Sequence, residues 1–112
     1  MSDKYILGGE DGHTPVPVDD LMEWAEWLGA HNRTVAAERV GPYRVSTVFI
    51  GLDFNIGRLF GGGGGPLLFE TMVFATGDNY PHHCDTKRCS TWDEAVEQHQ
   101  HVVAELKREL SG

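Results

Sequence analysis

Apolar residues recur at helical spacing near the end of the chain, where Trp92, Ala95, Val96, His99, Val102, Val103, Leu106 and Leu110 form one stripe of "STWDEAVEQHQHVVAELKREL". Thr91 followed by Glu94 matches a capping box, so a helix is predicted over 91–110, with His99 as a core or interface histidine. A second helix is predicted over 20–30. Leu21, Trp24, Ala25 and Leu28 fall at i, i+3, i+4 and i+7 there, and Asp19 or Asp20 stands at the N-cap. On that wheel Trp24 faces the core, while Trp27 lies on the shoulder of the stripe, partly exposed and available for contact.

Between the helices the period shortens to two. "TVAAERV" (34–40) and "YRVSTVFIGL" (43–52) read as strands joined by a tight turn at Gly41-Pro42. In the second strand Tyr43, Val45, Thr47, Phe49 and Gly51 share one face, with Arg44, Ser46, Val48, Ile50 and Leu52 on the other. "LLFETMVFA" (67–75) is a third strand that sets Glu70 on a largely apolar face with Leu68, Met72 and Phe74. A short fourth strand is expected around 86–90, "YIL" (5–7) as a short edge strand, and "GGEDGHTPVP" mostly as loop. The fold expected is a single α+β domain over 1–112, a three- to four-stranded antiparallel sheet with two helices packed against it.

Length and charge narrow the functional classes. A chain of 112 residues supports one modest core, and three tryptophans with five phenylalanines are more than a monomer of this size readily hides, so a homo-oligomer is expected, dimeric or larger. The net charge of −8 argues against direct nucleic-acid binding, which draws its affinity from neutralised phosphates. The charge is uneven: residues 1–30 and 61–112 are acidic, whereas 31–60 is locally positive, with Arg33, Arg39, Arg44 and Arg58 against Glu38 and Asp53. No apolar run is long enough to span a membrane and no signal-peptide pattern opens the chain, so a cytoplasmic, membrane-independent protein is expected.

Five consecutive glycines, Gly61 to Gly65, invite comparison with phosphate-binding loops, but Pro66 and a strand follow where a lysine, a hydroxyl residue and a helix belong. A flexible strand-to-strand loop is the favoured reading, with a mobile flap beside Arg58 as its functional alternative. "HHCDTKRC" gathers His83, Cys84 and Cys89 as weak zinc candidates, but the C-x4-C spacing is loose and no second compact ligand pair follows; no metal or other cofactor is assigned. Asp53 and Glu70 form a possible carboxylate pair if their strands are neighbours; otherwise Asp53 opens a loop and Glu70 pairs with Arg44 or Arg58. The favoured ligand-binding set is Trp27, Arg39, Arg44, Asp53, Arg58 and Glu70, with Arg33 nearby, because stacking plus charge-assisted hydrogen bonds suits a nucleotide-like small molecule. No catalytic residue is assigned.

At "VSTVFIGLDFN", "GPLLFETMVF" and "STWDEA" the chain resembles a family of small proteins encoded by tailed phages and prophages, over roughly residues 14–103. Phe54 stands where that pattern often has a histidine, and the glycine run and "HHCDTKRC" are particular to this chain. The resemblance implies an accessory protein acting in the bacterial cytoplasm and carries over no enzymatic residue. Stoichiometric binding is therefore expected over catalysis. One form is counter-defence by sequestering a nucleotide-derived signal. Another is acidic inhibition of a host nuclease or DNA-binding protein. A small hydrolase using Asp53 and Glu70 is the reading from a different class.

Overall fold

A computed structural model describes residues 4–53, 65–75 and 87–111 of the chain. It is an α+β arrangement: β1 (Lys4–Gly8), β2 (Thr14–Val18), α1 (Leu21–Ala30), β3 (Thr34–Val40), β4 (Tyr43–Phe49), β5 (Phe69–Ala75), β6 (Lys87–Cys89) and α2 (Trp92–Ser111). The sheet β3-β4-β5-β6 is antiparallel throughout, and α2 lies across one face of it. The β3–β4 hairpin turns at Gly41-Pro42 with Val40 opposite Tyr43, as the alternating pattern predicts.

Three adjacent rungs of the covered face define the core. Val45 pairs with Val73, Thr47 with Thr71 and Phe49 with Phe69, so an aliphatic cluster, a polar belt and an aromatic cluster follow one another beneath α2. His99, buried at 3%, occupies the belt from the helix side. Its Nδ1 lies 2.8 Å from the Thr47 hydroxyl and its Nε2 2.9 Å from Glu38 Oε1. Thr47 and Thr71 hydroxyls meet at 2.7 Å, and the Gln98 amide donates to Thr71 Oγ1 at 3.0 Å. A carboxylate only accepts, so Nε2 carries a proton. With a neutral ring, Nδ1 accepts from Thr47, Thr47 accepts from Thr71, and Thr71 accepts from Gln98, leaving every donor in the chain used.

The helices are fixed by the caps their sequences predict. Asp20 is the N-cap of α1, its Oδ1 accepting from Met22 N at 2.8 Å and Glu23 N at 3.2 Å. Before α2, Thr91 Oγ1 accepts from Glu94 N and Glu94 Oε1 accepts from Thr91 N, both at 3.1 Å, the reciprocal bonds of a capping box.

Several expectations are corrected. Thr14–Val18 is a strand, not loop, paired antiparallel with β1 in a separate two-stranded sheet. Proline is disfavoured within a sheet, yet Pro17 opposes Tyr5 and Pro15 opposes Leu7. Tyr5 N points the other way, to Gly51 O at 2.8 Å, so the prolines occupy positions whose N–H faces outward and is not needed by the ladder. β1 is an edge of this two-stranded sheet, as expected, with β2 on one side and the Tyr5 N–Gly51 O bond and the isolated Lys4–Leu52 bridge on the other. β4 ends at Phe49 rather than Leu52, because Gly51 turns the chain out of the sheet at φ +79°.

The orientation of α1 also differs. Leu21 is 60% exposed and Ala25 is exposed, whereas Trp24, Trp27 and Leu28 are half-buried. The helix packs on the β1–β2 sheet and meets the large sheet through Trp27 against Phe49, so only a narrow stripe of it is covered. Trp24 is accordingly not a core residue. Its indole Nε1 donates to Gly51 O at 2.9 Å, the carbonyl that already accepts from Tyr5.

Candidate functional site

The turn between β1 and β2, the end of α1 and the start of α2 converge on one cleft of ≈ 360 Å³. In the β1–β2 turn, His13 N donates to Asp11 Oδ1 at 2.9 Å, a local bond that holds the turn and presents the His13 ring. That ring lies flat on the indole of Trp92, with centroids 3.6 Å apart and planes 3° from parallel. Trp92 opens α2 directly after its capping threonine, so the box that starts the helix also places this indole.

From α1 come Trp27 and, one turn later, His31, stacked at 4.4 Å. A carbonyl only accepts, so His31 Nδ1–H donates to Trp27 O at 2.8 Å and the ring's Nε2 is left for other partners. Both indoles line the cleft together with Leu7, Asp11 and Asn32. Neither is loosely held. Trp27 meets the buried Phe49 edge-on at 5.8 Å, Phe49 meets Phe69 at 5.2 Å, and Phe69 meets Trp92 edge-on at 6.3 Å. The two walls are thus joined through a row of core aromatics whose edge-to-face contacts resist rotation.

The sequence-derived set is distributed differently. Trp27 stands in this cleft. Arg39 and Arg44 are partners across the β3–β4 hairpin, on the sheet face away from α2 and at the opposite end from Phe49. Arg39 Nε donates to Gly41 O at 3.3 Å, and the Arg44 guanidinium lies 4.7 Å over the Phe74 ring. Asp53 Oδ1 accepts from Leu67 N at 3.1 Å, which closes the connection between β4 and β5. Glu70 accepts from Arg88 Nε at 3.0 Å, not from Arg44, because the β5–β6 register sets Glu70 opposite Arg88. Arg58, His83, Cys84 and all but the last residue of the glycine run lie outside the described residues.

Cys89, the remaining zinc candidate, is half-buried against the aromatic cluster. Burial, reinforced by the Glu94 carboxylate and only partly offset by the hydrogen bond to the Thr91 backbone, pushes its thiol up to about 11. The thiolate that would bind zinc or attack a substrate is therefore disfavoured at neutral pH. In a Cys84→Ser chain, iodoacetamide labelling of Cys89 is expected to climb about tenfold per pH unit from pH 8 to 10. Levelling off near the ordinary thiol value of 9.0 would contradict the upward shift.

One arrangement escaped sequence reading. Glu38, His99 and Thr47, from β3, α2 and β4, line up as carboxylate, imidazole and hydroxyl, the order of a hydrolase triad. Thr47 is fully buried, so no substrate reaches its hydroxyl, and the row instead fastens α2 to the sheet. Spacing alone gave no signal for it, since the three residues meet only when the sheet and helix pack.

Among the described residues no group of three or more His, Cys, Asp or Glu side chains is placed to hold a metal ion, and no helix is long and apolar enough to cross a membrane. No family model, curated protein or solved structure matches the chain.

Proposed function

We propose that this chain is a non-catalytic binding protein that captures a small planar ligand of nucleotide-like chemistry in the cleft shared by Trp27 and Trp92. The observation that carries the reading is the pair of indoles, one from each helix, lining a single ≈ 360 Å³ cleft and braced through Phe49 and Phe69. That volume suits a small ligand, and aromatic walls formed by Trp27 and by Trp92 with the His13 ring stacked on it favour a flat guest. Polar groups at the rim, from Asp11, His13 and Asn32, offer donors and acceptors to the edge of a base. Asn32 Oδ1 already accepts from Thr34 N at 3.0 Å, which leaves its amide N–H groups for a guest.

The sequence resemblance to tailed-phage accessory proteins supports reading this binder as one that acts in the cytoplasm of an infected bacterium, where sequestering a nucleotide-derived signal is the role its chemistry fits. Binding is favoured over hydrolysis because Asp53 holds Leu67 N, Glu70 holds Arg88 across β5–β6, and the Thr47–His99 hydroxyl–imidazole pair is buried. Titration with ribonucleosides and ribonucleotides is expected to quench tryptophan fluorescence saturably, and heating the complex to release the compound intact. Trp92→Leu should weaken capture about 5- to 100-fold, the range for loss of one stacking surface, with circular dichroism confirming the fold. An absence of quenching at millimolar ligand, or recovery of a cleaved product, would rule the proposal out.

A further inference from the structure

The aromatic cleft adjoins a second cavity, of ≈ 300 Å³, and the two share His31 and Asn32. The remaining lining of the second cavity is Leu28, Arg33, Thr34 and Val48. In a chain of net charge −8, this lining includes an arginine and, among the described residues, no carboxylate. Arg33 is half-buried and fixed at both ends. Its carbonyl accepts from Phe49 N at 2.8 Å, and its Nη1 donates to Phe49 O at 3.5 Å. No carboxylate pairs with it among the described residues. A partly desolvated cation without a counter-charge is costly, and an anionic guest removes that cost.

We propose that this cavity holds the anionic end of the ligand, so that the site takes a nucleoside phosphate in preference to the nucleoside. The inference rests on the reading of the aromatic cleft given above. Charge sets the orientation: Asp11 at the aromatic end repels a phosphate, and Arg33 at the other end attracts it. The base then stacks by Trp27 and Trp92, while the phosphate meets the Arg33 fork, with the amide of Asn32, which lines both cavities, and the Thr34 hydroxyl as further donors. Arg33 is a recognition residue here, not a catalytic one.

The test is a fluorescence and calorimetric titration of the intact chain with each of the four ribonucleosides, its 5′-monophosphate and inorganic phosphate. At least one monophosphate should bind about 10- to 100-fold more tightly than its nucleoside, the range for a charge-assisted hydrogen bond, and the advantage should shrink with salt. Arg33→Gln should abolish that advantage and leave the nucleoside's affinity unchanged. Arg33→Lys, which keeps the charge, should retain part of it even if the glutamine variant folds poorly. Equal binding of nucleoside and monophosphate by the unaltered chain overturns the inference while the aromatic-cleft reading stands. Equal weakening of both by a folded Arg33→Gln chain also overturns it, and failure of every nucleoside and nucleotide to bind removes both.

Discussion

Replacing Gly51 with alanine is expected to destabilise the protein by roughly 2–4 kcal/mol, more than an alanine at Gly12, a left-handed glycine with open surroundings. About 1–2 kcal/mol comes from placing a side chain at φ +79°. The rest comes from crowding: the new Cβ would lie 3.0 Å from Tyr5 O, 3.1 Å from Leu28 Cδ2 and 3.3 Å from Phe49 Cε2. The first of these is backbone, so relief requires moving β1 away. That movement disturbs the carbonyl that takes both the Tyr5 amide and the Trp24 indole, worth about 1 kcal/mol each. In a domain of this size the melting temperature should fall by about 10–20 °C. Gly12, at φ +72° with nothing within 4 Å of its Cβ, isolates the conformational part, and Gly12→Ala should show only that. Gly29 lies in α1 with open space around it, so Gly29→Ala should stabilise by about 0.5–1 kcal/mol. If chemical denaturation finds Gly51→Ala no worse than Gly12→Ala, the junction is not the tight joint described.

His99→Ala should cost about 2–4 kcal/mol, through the cavity it leaves and the hydrogen bonds it removes. Thr47→Val, which breaks the same chain one link along, should cost about 1–3 kcal/mol. The sharper expectation concerns the pair. Because the hydroxyls and the ring polarise one another in series, the double variant should be less damaging than the sum by about 1–2 kcal/mol. Additivity would mean that the Thr47–His99 bond carries no coupling. Far-ultraviolet circular dichroism should stay native-like in each single variant, since the aliphatic and aromatic clusters on either side of the belt remain.

The strands of the large sheet and the long helix were readable because each repeats one simple signal: β-branched and aromatic residues at period two, or an apolar stripe behind a capping box. The exceptions each have a local cause. Pro15 and Pro17 mask β2, since propensity counts their missing N–H groups without knowing which way those groups would point. α1 carries a stripe wide enough for a broad partner but meets a narrow one, so Leu21 and Ala25 remain outside. The partial exposure of Trp27 was legible from its place beside that stripe, although it also touches Phe49. His13 and Trp92 were not readable as a pair: one sits in a turn and the other appeared as the first residue of a buried helix face. Their stacking depends on where the small sheet docks. Arg33 was visible only as one of several arginines, and its distinction is that no carboxylate among the described residues pairs with it, which is a property of the packed structure.

The two prolines of β2 also bear on how copies of this protein meet. Along its outward side the strand presents Pro15 and Pro17 where an adding strand would need amide donors. The small sheet therefore cannot be lengthened by a neighbour bonding at that border, and it terminates itself chemically rather than by being covered. Strand-on-strand growth is thereby denied to this border of the N-terminal hairpin, and among the described strands it is left to β3 and β6 at the borders of the large sheet.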